Sequence, residues 1–426
     1  MYLNAALQIL KQSMSRKSPL FSLIGRSPSL VSSCKLGTRS QGDDPPNRHS
    51  PEGVSSGRSS SSQSDPDDKA TEPQRVVPLM EARRFFVDVL TSSSVNDNYA
   101  QQMADALLFA DYNGIYSHGL SRLGMYVNDL ESGAMDGNAC PVLLRESPST
   151  GWVDGQNGPG VVIGNFCMQL AIQKAKEEGV GLVSAKRSNN VHRFQSFRGE
   201  QLVYHAGQEG ESIVVSAHDY ELRDPGLHSR LVPWSLCLTN TSPLTAPPGS
   251  REAALGTNPI GFGAPAKNCD GVSVDISTSA GSLGQIEQHV LTKRPLPENW
   301  AQDLEGSPTT DPQVALKAMC LMPFGGPESS YKGYALATMV EALCSILADS
   351  MYGPYVRQRR DGPGESNLGQ CFVAINPELF APGFKDRLSN LLESLRDLEP
   401  AELAARTSVE PLKLIIKPNE EPKLTQ

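Results

Sequence analysis

The stretch from residue 151 to residue 186 constrains the fold of this chain more than any other. GWVDG (151–155) has the composition of a short strand, VVIGNFCMQLAIQKAKEEG has helical spacing, and VGLVSAK (180–186) follows as a second strand. The order strand, turn, helix and strand is the repeating unit of α/β proteins. We therefore predict an α/β fold.

The turn inside this unit, GQNGPG (155–160), has its glycines at 155, 158 and 160. That spacing does not match the GxGxxG fingerprint of dinucleotide-binding loops. The amides at a helix N-terminus could still bind phosphate, but a tight turn is the favoured interpretation.

Helices are predicted on both sides of this unit. Two helices joined around residues 92–96 precede it, and a third carries Ser117 to Leu130. Further strands are expected at SLCLTNT (235–241) and VSVDIS (272–277). The remaining helices are predicted to start at PTTDPQVAL (308–316), with Thr310 as cap, and to cover 331–351, apolar on most faces, and 384–398.

Composition favours a small-molecule partner. The 426 residues include 47 acidic and 38 basic ones, and no internal block is basic enough to indicate nucleic acid. No apolar run has the length of about 20 residues that a membrane-spanning helix needs. The 8 cysteines form no CxxC pairs, so neither a metal site nor a disulfide framework is expected.

The N-terminal region differs from the rest. Residues 1–42 are rich in basic and hydroxyl residues, contain no acid before Asp43, and place Leu3, Leu7 and Leu10 on one helical face. This composition is typical of a mitochondrial presequence and predicts the matrix as the location, with the cytoplasm as the alternative if the segment is a plain disordered tail. The linker 43–76, rich in Ser, Pro and Asp, is predicted to be disordered.

His118 and Arg122 are the first candidates for chemistry. Reduction of a 2-keto acid requires an acid that protonates the oxygen and a cation that holds the carboxylate. A histidine titrates near neutral pH and a guanidinium binds a carboxylate with two hydrogen bonds. On one helix these residues and Tyr126 would share a face, but the same spacing also occurs in exposed pairs without function.

A second candidate is the run TNTSPLTAPPGSREAALGTNPIGFGAPA (239–266). A proline- and glycine-rich loop of this length within a compact domain is usually functional. Its hydroxyl and amide side chains suit the wall of a cofactor or substrate site.

Together these segments resemble the malate/L-lactate dehydrogenase family of NAD(P)-dependent oxidoreductases, which lacks the Rossmann fold. The resemblance covers about 78–190 and 235–398. Its motifs are GIYSHGLSRL (114–123), VDGQNGPG (153–160), TNTSPLTAPPGSRE (239–252), LGTNPIGFGAP (255–265), VDISTSAGSLGQIE (274–287), PTTDP (308–312) and YKGYAL (331–336).

The resemblance implies a 2-hydroxyacid dehydrogenase with His118 as catalytic acid/base and Arg122 as the carboxylate-binding residue. The cofactor is NAD or NADP, the substrate a small 2-hydroxy or 2-keto acid, and the assembly a homodimer. Substrate-binding positions are expected at Ser117, Tyr126, Asn190, Thr257 and Asn258. Cofactor-binding positions are expected at Asn240, Thr241, Ser242, Asp275, Ser277, Thr278, Ser279, Lys332 and Gly333.

The implied fold is a mixed α/β sheet with an N-terminal helical region and an unusual NAD(P)-binding domain. A discontinuous substrate and dimerisation domain is expected at 77–185 and 330–400. The NAD(P)-binding domain is expected at 186–329 and includes a divergent segment, 191–233. A poorly ordered tail is expected at 401–426.

Several positions depart from the family pattern. Asn190 stands where the family has a second histidine, unless His192 takes its place, and Gln285 replaces a lysine. Segment 191–233 matches nothing in the family, and the C-terminal cofactor motif is missing. Three interpretations remain: an active dehydrogenase, a catalytically silent paralogue that serves as a binding or structural subunit, and a faulty gene sequence at the divergent segments.

Overall fold

The computed structural model describes residues 77–112, 115, 117–189, 234–268, 270–358 and 364–398. The predicted presequence, the linker 43–76, segment 191–233, Asn190 and the tail 401–426 lie outside the described residues. Predictions on those segments therefore stay predictions, as does the division into domains.

The described chain begins with a helical region. Helices α1 (Leu79–Ser92) and α2 (Asp97–Tyr112) match the two predicted ones. Their apolar faces meet in a core that includes Phe86, Leu90, Met103, Leu107 and Leu123. The third predicted helix is wrong at its start, because a single 3-10 turn (Leu120–Arg122) precedes helix α3 (Leu123–Glu131).

A seven-stranded mixed sheet forms the body of the described chain. Its strands are β1 (Val142–Glu146), β2 (Thr150–Gly158), β3 (Val180–Ser188), β4 (Trp234–Thr239), β5 (Ile260–Pro265), β6 (Gly271–Ile276) and β9 (Leu368–Ile375). The spatial order is β1-β2-β3-β9-β4-β5-β6. Only β2 and β3 are parallel, and every other neighbouring pair in this sheet is antiparallel.

The predicted α/β unit is confirmed, since β2, helix α4 (Gly160–Glu178) and the parallel strand β3 follow one another. Ile163 and Met168 of the helix pack against Phe372 of β9 in a buried core. The predicted turn at 155–160 is instead the end of β2, which continues to Gly158 with Gln156 and Asn157 in the left-handed region.

The remaining elements follow β6. They are α5 (Leu283–Thr292), the short pair β7 (Ala301–Gln302) and β8 (Pro308–Thr309), α6 (Pro312–Ala318), α7 (Gly326–Glu341) with a π-helical continuation (Ala342–Ile346), 3-10 turns at Gly353–Tyr355 and Pro377–Leu379, and α8 (Phe384–Arg396). The cap of α6 is Asp311 and not Thr310, because the Asp311 carboxylate accepts hydrogen bonds from the backbone N–H groups of Gln313 and Val314.

No helix among these residues combines the length and the apolar character required to cross a membrane. The helix predicted at 331–351 begins earlier, at Gly326, and its hydrogen-bond pattern changes to the π type at Ala342.

Candidate active site

The segment 117–122, here called the active-site turn, carries both proposed catalytic side chains. His118 lies in a turn ahead of α3 and Arg122 ends the 3-10 turn, so the prediction of one continuous helix face is wrong. The Ser117 Oγ and His118 Nδ1 atoms are 2.8 Å apart and share a hydrogen bond. This contact with the preceding residue fixes the orientation of the half-buried imidazole.

Asp111, at the end of α2, is hydrogen-bonded to the active-site turn. Its side chain is only 5% exposed, and its Oδ2 accepts a 2.8 Å hydrogen bond from the Leu120 N–H. Gly119 passes so close that a Cβ there would overlap the Asp111 carboxylate. Burial raises the pKa of Asp111 to about 7, against the opposing effect of the Leu120 hydrogen bond. Sequence analysis missed this residue.

Arg122 is buried at 8% exposure and is held from two sides. Its Nε donates to the Ser117 carbonyl at 2.5 Å, and its Nη2 donates to Glu287 Oε2 at 2.9 Å. Tyr126 lies in the helical core, where burial raises the pKa of its hydroxyl. Its predicted contact with substrate stays a prediction.

The predicted cofactor residues of β6 and α7 lie together. Thr278 donates through its backbone N–H and its hydroxyl to the Thr257 carbonyl, at 2.9 and 2.8 Å. The Ser277 hydroxyl donates to the Ser279 carbonyl at 2.9 Å. A Cβ on Gly333 would meet the Thr278 carbonyl at 2.8 Å, so α7 lies directly against residues 277–279, here called the strip. Lys332, next to Gly333 in the chain, is exposed.

The run 239–266 holds a different arrangement, here called the asparagine frame: Asn240, Asn258, Glu341 and Gly353. Asn240 and Asn258 are 0% exposed and donate to the two oxygens of the Glu341 carboxylate, at 3.1 and 2.7 Å. Their second N–H groups donate to the Met351 and Ala337 carbonyls. The side-chain N–H groups of both predicted binding residues, Asn240 and Asn258, thus donate to other groups of the protein.

Two further predicted binding residues, Thr241 and Ser242, form hydrogen bonds that connect separate segments of the chain. The Thr241 hydroxyl accepts a 2.9 Å hydrogen bond from the Thr257 N–H, and the Ser242 hydroxyl donates to the Arg357 carbonyl at 2.8 Å. Asp275 is partly buried on β6, where it is paired with Gly261 of β5 in the sheet register.

The chain that follows the strip connects it to the active-site turn. Ser277, Thr278 and Ser279 lead through Gly281 and Ser282 into α5, whose first turns contain Glu287, the partner of Arg122. The predicted cofactor residues 277–279 are thus linked to the predicted carboxylate-binding Arg122 through α5. Among the described residues, no three His, Cys, Asp or Glu side chains are grouped as ligands of a metal ion.

Comparison with known proteins identifies the family of this chain. A model of the malate/L-lactate dehydrogenase family matches residues 77–202 and 234–409. The chain belongs to this family. It is an oxidoreductase, and the mixed sheet described above is the fold of the family's solved members.

Two similar proteins come from archaea. The L-sulfolactate dehydrogenase of Methanocaldococcus jannaschii is 34% identical over 322 residues, which cover 75% of this chain and 84% of the relative. The malate dehydrogenase of Pyrococcus horikoshii is 33% identical over 325 residues, covering 75% and 82%. A solved malate dehydrogenase from Entamoeba histolytica superposes with a TM-score of 0.65 at 27% identity, covering 76% of this chain and 86% of that one.

The family match leaves out residues 203–233, which lie within the predicted divergent segment 191–233. The match also reaches residue 409 on the C-terminal side, beyond the predicted end of the resemblance at 398.

One departure from the family pattern, at Gln285, lies within the described residues. Gln285 forms a capping box with Ser282: its side chain accepts from the Ser282 N–H at 2.9 Å, while its own N–H donates to the Ser282 hydroxyl. It thus stabilises the start of α5. Asn189, which precedes Asn190, is anchored by donating to the backbone oxygens of Asn157 and Gly158.

Proposed function

We propose that this chain is an NAD(P)-dependent oxidoreductase that interconverts a small 2-hydroxy acid and the corresponding 2-keto acid. The observation that carries the proposal is the active-site turn, in which an oriented imidazole and a buried guanidinium are four residues apart. The names of the relatives, sulfolactate, malate and ureidoglycolate dehydrogenases, support the same substrate class.

The residues of the strip fit a nicotinamide dinucleotide. Such a cofactor presents an anionic pyrophosphate and ribose hydroxyls, which need a cation and hydrogen-bonding groups. Lys332 is exposed and adjoins Gly333, whose lack of a Cβ lets α7 lie against the Thr278 carbonyl, and Ser277 and Ser279 carry hydroxyls. We propose that these residues, with Asp275, hold NAD or NADP; one similar protein is named as NAD(+)-dependent.

When bound, the reduced cofactor supplies the hydride that reaches C2 of the keto acid. Arg122 binds the substrate carboxylate and so fixes the carbonyl in the reactive orientation. His118, whose Nδ1 is hydrogen-bonded to Ser117, delivers a proton from Nε2 to the carbonyl oxygen. In the reverse direction His118 accepts the hydroxyl proton.

The test uses the full chain with NADH or NADPH and four acids: oxaloacetate, pyruvate, sulfopyruvate and diketogulonate. Loss of absorbance at the reduced nicotinamide band reports turnover and ranks the substrates. His118→Ala is expected to lower kcat by a factor of about 100 to 10,000, the usual contribution of a positioned acid, while NADH binding stays unchanged. Equal rates for this variant and the parent would refute the assignment, and a folded parent that neither binds nor oxidises the cofactors would support the silent paralogue.

We further propose that the protein is a homodimer. The end of α7 and the turn after it present an apolar surface, with Ile346 58% and Tyr355 70% exposed, beside Leu347, Met351 and Tyr352. A surface of this kind is typical of an interface. Light scattering on the purified chain measures the mass, and a monomer at micromolar concentration would contradict the proposal.

The mitochondrial matrix remains our proposed location because residues 1–42 have the composition of a presequence. Fractionation of cells that express the full chain tests it. Cytoplasmic recovery of an unprocessed chain would contradict it.

A further inference from the structure

The guanidinium of Arg122 is held by more than its own turn. Its Nε–H reaches the Ser117 carbonyl, while one Nη2 hydrogen reaches Glu287 on α5, 165 residues away in sequence. These two donors lie on the same edge of the planar guanidinium, the edge formed by Nε and Nη2. The described residues thus engage two of its five donors. The terminal edge, here called the Nη1 edge, carries one hydrogen of Nη1 beside the second hydrogen of Nη2.

Gly284, in the first turn of α5, lies directly against the Arg122 guanidinium. A Cβ added to Gly284 would overlap Arg122 Nη2 and would come within 2.7 Å of Ser117 Cβ. Glycine is a poor residue inside a helix, and its backbone here lies outside the left-handed region that would require glycine. The space taken by the guanidinium therefore explains why this position has no side chain.

We propose that Gly284 and Glu287 are positioning residues that seat Arg122, so that its Nη1 edge receives the carboxylate of the substrate. Glu287 supplies a charge-assisted hydrogen bond to one edge, and Gly284 supplies the space against which the guanidinium lies. This inference rests on the proposed function, because it assumes that Arg122 is the residue that binds the carboxylate.

The seat also connects the two halves of the site. The same α5 starts directly after the strip that carries Ser277 and Ser279, and its start is fixed by the capping box of Ser282 and Gln285. A displacement of α5 would therefore be transmitted to Arg122 through Glu287. Substrate orientation and the position of the strip are coupled through one helix turn.

The experiment measures the Kd for oxalate, a planar mimic of a keto acid, by calorimetric titration of the full chain in the presence of NADH. Glu287→Ala is expected to raise the Kd for oxalate about tenfold, the equivalent of one lost charge-assisted hydrogen bond. Glu287→Gln keeps an acceptor oxygen and is expected to stay within about twofold of the parent.

Gly284→Ala tests the seat from the side of α5. The added Cβ overlaps the guanidinium and crowds Ser117, so the melting temperature is expected to fall while the Kd for oxalate rises about tenfold or more. The control is Asp105→Ala, which removes a partly buried arginine–carboxylate pair of the helical region, Arg83 with Asp105. It is expected to lower the melting temperature without changing the Kd for oxalate.

Unchanged oxalate binding in both Glu287→Ala and Gly284→Ala would overturn the inference, as would a parent that binds no oxalate. Tighter binding in Glu287→Ala and Glu287→Gln alike would also overturn it, because Glu287 would then act only as an opposing charge. Turnover is scored separately. A parent that binds oxalate through this seat but oxidises neither NADH nor NADPH would refute the proposed function and leave the seating of Arg122 standing.

Discussion

The asparagine frame and the active-site turn are both buried, but they use polar groups in opposite ways. In the frame, the one carboxylate, Glu341, accepts from two neutral amides, from the Gly353 N–H and from the Ser345 hydroxyl. Beside the turn, Asp111 of α2 is a buried carboxylate for which the described contacts give a single backbone donor. In the frame, the polar groups are hydrogen-bonded to one another and make the structure rigid. At the turn, charged groups are buried, which costs free energy.

This contrast predicts that damage to the frame costs stability and damage to the turn costs activity. The largest effect is expected from Glu341→Ala, because it leaves the two amides and the Gly353 N–H buried without their acceptor. We expect a loss of about 4 kcal/mol in the free energy of unfolding, measured from urea transitions.

The control for this variant is Glu328→Ala, an exposed residue in the first turn of the same helix. Its cost should stay within about 0.5 kcal/mol. Equal midpoints for the two variants would mean that the frame contributes nothing beyond an ordinary surface carboxylate.

A smaller effect, of opposite sign, is expected from Asp111→Asn. Because the folded pKa of Asp111 is raised to about 7 from an ordinary value of 3.8, the folded state binds more protons than the unfolded state between these values. The parent therefore loses stability as pH rises from about 4 to 7, and stays at the lower level above 7.

The asparagine variant has no such loss and keeps an acceptor for the Leu120 N–H. It should exceed the parent by an amount on the order of 2 kcal/mol at pH 8, and the difference should shrink towards zero near pH 4. Thermal melts at several pH values measure this difference. If it were flat across the range, Asp111 would not be the group that titrates.

The smallest effect is expected from Ser117→Ala, which removes the hydroxyl at His118 Nδ1 but leaves the carbonyl that binds Arg122. Loss of one orienting hydrogen bond should lower kcat about tenfold, with the KM for the keto acid little changed. Steady-state kinetics separates the two constants. A change confined to KM would place Ser117 in substrate binding instead.

Local patterns were sufficient for the elements whose partners are near in sequence. The unit β2, α4 and β3 followed from strand and helix periodicity, because its strands pair with each other across one helix. The central strand β9 was missed, since its partners, β3 and β4, are far away in the chain.

The same limit applies to the site. Family motifs indicated His118 and Arg122, and the structure places the predicted Gly333 against the predicted Thr278. Asp111 and Glu287 were not singled out, because a carboxylate three-dimensionally close to a turn leaves no periodic signal in the sequence. The role of Glu341 could not be predicted either, because a single acidic residue in an apolar helix is normally interpreted as an exposed position.

The place of β9 in the sheet has a consequence for biosynthesis. Strands β3 and β4 do not pair with each other, and each pairs with β9 from opposite sides. Until the ribosome has released residue 375, the nascent chain holds two separate half-sheets, each with an edge of unpaired backbone groups. Completion of this fold is therefore a late, long-range event, and any truncation before Leu368 divides the molecule through its centre.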